Sequence, residues 1–394
     1  AALPNTYGVL FDDGSNLNVV GTSNAADRNI ISGNSEYGIF IYNYGTRDNI
    51  VEGNFIGTDI TGTIAIPNAN GIVIDGAPRH HLVKNNVISG NTQEGIVIHM
   101  TYSDNHIIVG NKIGTDYTGL NPLGNGTDGI RLAENVHENV IGGSAADANV
   151  IAYNAKCGVN VMTADSWNNS IRCNSIYNNG MLGIDLYPEG VNMNDAGDGD
   201  AGANNMMNFP VIDSVSYVSG NARLFGHLDA QLPQYCLVDI YKVNADTSGY
   251  GEGMIYLGTT IPDAMGNWSD TVVSLNNEYF TATATDSARN TSEFSLIFPE
   301  YPFAVNDNAL KNISVQISPN PFREKTLVTI ESSATKIYSL TAELFSSSGT
   351  MIKKHSSSDC SSVGIDGRSL SSGTYFLKLK INNKLYKTLR LIRQ

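Results

Sequence analysis

One phrase recurs through the first half of the chain and limits what it can fold into. It is Asn-x-Ile/Val, followed nine residues later, where nothing is inserted, by Gly-Ile/Val-x-Ile/Val/Leu. The first half begins at Asn29, Asn54, Asn86, Asn111, Asn149 and Asn174, at intervals of 25, 32, 25, 38 and 25 residues. The second begins at Gly38, Gly71, Gly95, Gly129, Gly158 and Gly183, and an opening copy stands at Gly8. A unit of this length cannot bury its own apolar face, so neighbouring units must stack into a solenoid.

Within GIVI at Gly71 and Gly95 the isoleucines occupy alternate positions and share one face, as in a short strand. A third short strand falls between successive units, at Leu17, Asn49, His81, His106, Asn139 and Asn169. Three strands per unit, joined by Gly-Asn, Ser-Gly-Asn and Gly-Thr-Asp turns, predict coils of a parallel β-helix over residues 1–207, stacked about 4.8 Å apart. The recurring asparagines then meet at one corner, where each amide bonds to the coils above and below. The glycine before each Ile-x-Ile is expected where no Cβ fits. Both motif elements are therefore structural.

Function must reside in what the repeat leaves free. The outward third position reads Phe40, Val73, Val97, Arg131, Asn160, Asp185, and the fifth reads Tyr42, Asp75, His99, Ala133, Met162, Tyr187. Stacking makes Tyr42, Asp75 and His99 neighbours, followed by Arg131 and by Asp185 with Tyr187, a strip suited to sugars. Asp75, His99 and Arg131 are the candidate catalytic groups, His99 or Lys156 serving as base beside the Arg131 charge. Asp75 and Asp185 lie too many coils apart for a glycosidase pair, and outward Val73 and Val97 interrupt the strip. Two similar insertions, at Gly57 and Gly114, project from one side. Their Asp59, Asp116, Thr58 and Thr115 either line a ligand wall or bond to nearby backbone in Asx- and ST-turns.

Beyond the last unit, a Gly-rich stretch gathers Asp185, Glu189, Asn192, Asn194, Asp195, Asp198 and Asp200. Oxygen ligands in such a loop suit a structural Ca²⁺ held by Asn192, Asn194, Asp195, Asp198 and Asp200; the alternative is a solvated acidic linker. Residues 208–300 change to ordinary alternating strands and predict an immunoglobulin-like β-sandwich, with Trp268 and Tyr279 in its core. After a short linker, residues 301–394 predict a further small β domain. Its last strands concentrate Lys378, Lys380, Lys384, Lys387, Arg390 and Arg393. The fold class is all-β.

The formal net charge of -14 and pI near 4.8 suit neither nucleic acid nor an anionic membrane surface. No apolar run is long enough to span a bilayer. Four cysteines in 394 residues make no disulfide scaffold and match no metal motif. Cys157 and Cys173 either pair or remain two buried thiols.

Residues 7–207 resemble the right-handed parallel β-helix repeats of pectate-lyase-like secreted bacterial proteins, through NVISGN, NFIGTD and GIxI. That resemblance implies a carbohydrate-active lyase or hydrolase on an acidic glycan, or a non-catalytic adhesin or glycan-binding solenoid. The Asp cluster and Arg base of pectate lyases find no match, since Arg131 has no neighbouring Asp trio in the sequence and Asp185 stands alone. VQISPNPF at Val315 and the ending from Ile365, with its Gly-x-Tyr-x-hydrophobic phrase, resemble the C-terminal sorting domain of the Bacteroidetes type IX secretion system. That implies export across the outer membrane, release or surface anchoring, contact with the secretion machinery, and a precursor form. The half unit at Gly8 leads one to expect further coils upstream.

Overall fold

The computed structural model describes residues 4–218, 220–243, 249–274, 278–299, 313–332, 340–346, 351–357, 362–381 and 384–394. The expected linker at 301–310 and Cys360 lie outside these residues, as do the side chains of Lys384 and Lys387. The chain divides into two compact units, Ala1–Tyr301 and Pro302–Gln394.

The solenoid is a stack of three parallel sheets. One holds seven strands, each the GIxI segment of a coil: Tyr7–Phe11, Tyr37–Tyr42, Asn70–Asp75, Ile96–His99, Ile130–Ala133, Val159–Val161 and Ile184–Leu186. The other two hold six strands each, from Val19–Val20 to Ser170–Arg172 and from Ile30–Ile31 to Ser175–Tyr177. The register is constant, with Ile72, Ile96 and Ile130 aligned, and likewise Ile74, Ile98 and Leu132. These residues are wholly buried and form one interior column with Val51, Val83, Ile108 and Ile141 from the second sheet. Alternation turns the apolar set inward, and stacking keeps that set continuous from coil to coil.

Amide columns hold all three corners. In the expected one, Asn29, Asn54, Asn86, Asn111 and Asn149 each donate a backbone and a side-chain N–H to Oδ1 of the next, at 2.9–3.2 Å, and the column ends at Asn174. A second runs through Asn34, Asn68, Asn91, Asn125, Asn154 and Asn179. A third runs through Asn18, Asn49, His81, His106, Asn139, Asn169 and Asn204. A buried amide is tolerable only when its hydrogen bonds are met, and the column meets them at every turn. The glycine expectation also holds. A Cβ on Gly95 would lie 2.6 Å from the Gly129 carbonyl and 2.9 Å from Asn125 Nδ2.

The sandwich follows as two three-stranded antiparallel sheets. One comprises Val211–Val218, Asn221–His227 and Asn267–Val273; the other comprises Leu237–Val243, Ile255–Thr260 and Tyr279–Thr285. Trp268 is buried in its core and Tyr279 is half-buried. The module also closes the open end of the solenoid. Thr291 Oγ1 accepts the N–H of Ile171, the Gly253 carbonyl that of Ile176, and Glu293 that of Leu186, one from the last strand of each parallel sheet. Tyr241 and Phe294 join the solenoid's interior cluster, and Arg172 makes a two-pronged ion pair with fully buried Asp239 at 2.6 and 2.9 Å. Sheet edges that would otherwise offer unpaired groups are thereby covered.

The second unit packs Ile313–Ser318, Lys325–Ser332 and Ser362–Asp366 in one sheet. Leu340–Ser346, Met351–Ser357, Gly373–Ile381 and Lys384–Arg393 form the other. Phe322, Val328, Leu344, Leu377 and Leu391 belong to their shared core. Lys380 and Lys354 both pair with Glu343 of the same sheet, which partly neutralises their charge.

Candidate functional site

The outer face of the seven-stranded sheet carries the expected columns in the expected register: Phe40, Val73, Val97, Arg131, Asn160 and Asp185 align, as do Tyr42, Asp75, His99 and Ala133. Its side chains nevertheless divide into separate groups.

At one end lies a platform of four rings. Tyr7 stacks on Tyr37 at 5.4 Å, Tyr37 meets Phe40 edge-on at 4.9 Å, and Phe40 stacks on Tyr42 at 4.9 Å. Next comes a polar relay, in which His99 Nδ1 lies 3.3 Å from Asp75 and Nε2 lies 3.1 Å from Glu134. A carboxylate thus lies beside each ring nitrogen.

Arg131 belongs to a different group. Its guanidinium leans to Glu94 at 3.1 Å, and Glu94 also accepts from Asn70 Nδ2 at 2.6 Å. Asp128 occupies the same column and accepts from Asn160 Nδ2 and the Cys157 N–H. Burial raises the Asp128 carboxyl above its ordinary range, tempered by those two donors. Asp75, His99 and Arg131, expected together, therefore do not converge. Val73 and Val97 are buried between the groups, outside the interior cluster. The acidic neighbour that Arg131 lacked in the sequence reading is Glu94, which shares its column with Asp128. Each immediately precedes the glycine of GIxI, a column the outward-position reading omitted.

The remaining expected ligand residues are placed as follows. Asp185 is buried, bonded to the Cys157 thiol at 3.3 Å and to the Gly190 N–H at 3.0 Å, and burial raises its pKa. It is closed to a polymer, whereas Tyr187 is exposed. Asp59 and Asp116 follow the Asx-turn alternative. Asp59 accepts from the Thr61 hydroxyl and the N–H groups of Thr63 and Ile64, while Asp116 accepts from Thr118, Leu120 and Asn121. Despite burial acting the other way, those donors hold Asp116 down to about 2. Thr58 and Thr115 are buried, each hydroxyl bonded to a backbone carbonyl. Among the described residues, Cys157, Cys173 and Cys236 are free, buried thiols; burial lifts Cys173 to about 11.

Asp195, Asp198 and Asp200 do come together, their carboxylate oxygens within 4.8 Å of one another. Burial first, then Asp195 and Asp200, push Asp198 up to about 6 against the Asn208 N–H that it accepts. Asn192 and Asn194 are committed elsewhere. Asn192 donates to Glu293 and the Leu186 carbonyl, and Asn194 pairs with the Phe209 backbone.

Comparison with known proteins agrees with this architecture at both ends. Residues 316–394 match the secretion system C-terminal sorting domain, and residues 57–185 match the family described as periplasmic copper-binding protein (NosD). The class is thus an exported parallel β-helix protein. Its C-terminal domain marks it for the type IX route, to the cell surface or the medium. No helix among the described residues is long and apolar enough to cross a membrane. Similar solved structures include a biofilm associated protein BSP domain (14% identity, TM-score 0.20, covering 50% of this chain and 33% of that one). Another is latent PorU from Porphyromonas gingivalis (12%, 0.18, 47% and 20%). A third is an alpha-2-macroglobulin fragment from Escherichia coli (10%, 0.20, 45% and 59%). At these TM-scores the likenesses carry no functional weight.

Proposed function

We propose that the chain is an exported, non-catalytic solenoid that binds polysaccharide along the outer face of its seven-stranded sheet. The ring platform of Tyr7, Tyr37, Phe40 and Tyr42 carries this reading, because contiguous half-exposed aromatic rings on a rigid sheet offer an apolar surface that suits the apolar faces of sugar rings. The rest of the strip supports binding over chemistry. A general base needs a free nitrogen within reach of a substrate proton, and His99 is held by carboxylates on both sides. Arg131 is engaged by Glu94 on a separate part of the face.

Binding of purified protein to soluble glycans by affinity electrophoresis tests the reading. Tyr42→Ala should release the glycan. Retention of all glycans by the variant as by the wild type would remove the platform from the argument. Incubation with alginate and pectate, followed at 235 nm for unsaturated uronates, should give no product; a steady rise would replace binding by lyase chemistry.

Calcium is the metal we propose, at Asp195, Asp198 and Asp200, with the remaining positions of a six- to eight-oxygen shell filled by backbone and water. It would fasten the loop between the solenoid and the sandwich. A copper reading, suggested by the family name matched at residues 57–185, does not fit the donors. Copper(II) favours imidazole and square-planar nitrogen sites. His81 and His106 spend Nδ1 accepting backbone N–H groups, which leaves their buried Nε2 atoms protonated and unable to ligate.

A further inference from the structure

After the first four strands of the seven-stranded sheet, the backbone bridges in register through Asn16, Arg47, Arg79 and Asp104. Arg47 and Arg79 thus stand on consecutive coils, one strand spacing of about 4.8 Å apart. They border a depression of about 500 Å³, whose lining includes Tyr44 and His80. Tyr44 is 82% exposed. This placement is unusual in a chain of net charge -14, whose first 207 residues hold eight lysines and arginines. Like charges side by side on neighbouring strands repel; the local carboxylates offset the pair only loosely, and Arg79 also donates to the Tyr102 carbonyl at 3.4 Å and lies over the Tyr102 ring. Arg47 approaches Asp48 only to 3.7 Å and Arg79 approaches Asp104 only to 3.6 Å, both beyond hydrogen-bond length. Both guanidiniums remain open to solvent. By contrast, Arg131 and Arg172 make contacts of 3.1 and 2.6 Å.

We infer that this corner is a binding site for an anionic sugar residue, its carboxylate or sulfate bridging Arg47 and Arg79 and its ring lying against Tyr44. Guanidinium forks match both oxyanions, and a bridging anion turns a repulsive stack into a clamp. The corner adjoins the ring platform, because Thr46 donates its hydroxyl to the Tyr42 carbonyl. On the next coil, a Cβ added to Gly76 would lie 2.9 Å from the Tyr42 ring. A polysaccharide seated on the platform therefore reaches the corner with a neighbouring residue. The inference rests on the proposed glycan-binding function and adds the charge of the glycan.

The test uses the full chain with oligosaccharides of polygalacturonate, of a sulfated galactan, and of neutral dextran, titrated by calorimetry. The expected result is binding of one or both anionic series, weakened by salt as a surface charge contact must be. Arg47→Ala/Arg79→Ala should weaken it at least tenfold, and Tyr44→Ala should weaken it with the fold intact by circular dichroism. Arg28→Ala should leave it unchanged, since the Arg28 guanidinium lies over the Phe55 ring outside this depression. Preference between the carboxylated and sulfated series identifies the oxyanion. Wild-type affinity in the double variant, or equal binding of dextran, overturns the inference. If binding persists in the double variant but is lost in Tyr42→Ala, the platform stands without the corner. If the wild type binds no glycan at all, both fall.

Discussion

His81 and His106 stand where the same corner column elsewhere carries asparagine, and their rings stack at 5.1 Å with planes 9° apart. Each Nδ1 accepts a backbone N–H, which fixes the neutral tautomer with the proton on Nε2. Burial is the chief cause that lowers His81 from 6.5 to about 4, and it lowers His106 in the same direction. A histidine harder to protonate in the fold than in the unfolded chain contributes stability that is whole above pH 6.5. That contribution declines as pH falls from 6.5 towards 4. For His81 the full span is worth about 3 kcal/mol. Urea midpoints should therefore drop between pH 7 and pH 4.5, and His81→Asn/His106→Asn should flatten that drop, since asparagine supplies the same acceptor. Equal pH slopes in both proteins would refute the assignment. Asp198 has the opposite dependence. Its raised pKa means that keeping it charged in the fold costs stability as pH rises through 4 to about 6. Without calcium, Asp198→Asn should melt higher than wild type at pH 8.

The coil is the element that the sequence showed most fully. Period-two isoleucines and a fixed Asn–Gly spacing predict a strand, its face and its neighbours at once, because each unit repeats the same burial problem. Gly95→Ala tests this directly. The added methyl meets a backbone carbonyl, and overpacking of about 1–3 kcal/mol should appear as a lower melting temperature. The other two amide columns were present in the same letters, at Asn34 and Asn68 and at Asn18 and Asn49. One follows the strand that marks the repeat and the other includes two histidines, so neither keeps the letter and spacing of the Asn-x-Ile phrase. The outward strip was legible as a register and not as a site. Alignment fixes which Cα atoms are neighbours, whereas the leaning of Arg131 towards Glu94 and the capture of His99 by Glu134 depend on side-chain partners one column away. Similarly, Asp59 and Asp116 look like ligands in a string of letters, but a carboxylate two to five residues from free N–H groups closes its own turn first.

At the scale of the molecule, the sandwich supplies the stop that the solenoid needs. Breaking its central ion pair with Arg172→Ala leaves buried Asp239 unpaired and should cost about 3–5 kcal/mol. Loss of cooperativity between the two parts in a thermal melt would accompany it. Calcium should raise the melting temperature and EDTA lower it, with the effect absent in Asp198→Asn; an EDTA-insensitive wild type would remove calcium from the loop. Deleting residues 316–394 should retain the rest of the chain inside the outer membrane, read by fractionation, because the sorting domain is its address for export.

The three corner columns also share a sense. On each column the Oδ1 or Nδ1 acceptor faces the N-terminal coil and takes that coil's N–H, so these acceptor dipoles add instead of cancelling, as peptide units do along a helix. The second side-chain N–H of most of the asparagines returns to a backbone carbonyl of the preceding coil. The solenoid is in effect a bundle of aligned dipoles whose donor end is partially positive. Glu252 accepts both N–H groups of Asn179, the last amide of one column, and Glu293 accepts the N–H of Leu186 on the final coil. These carboxylates act as counter-charges to a macroscopic dipole made of side chains. The axial field of such a solenoid should therefore grow with the number of coils stacked.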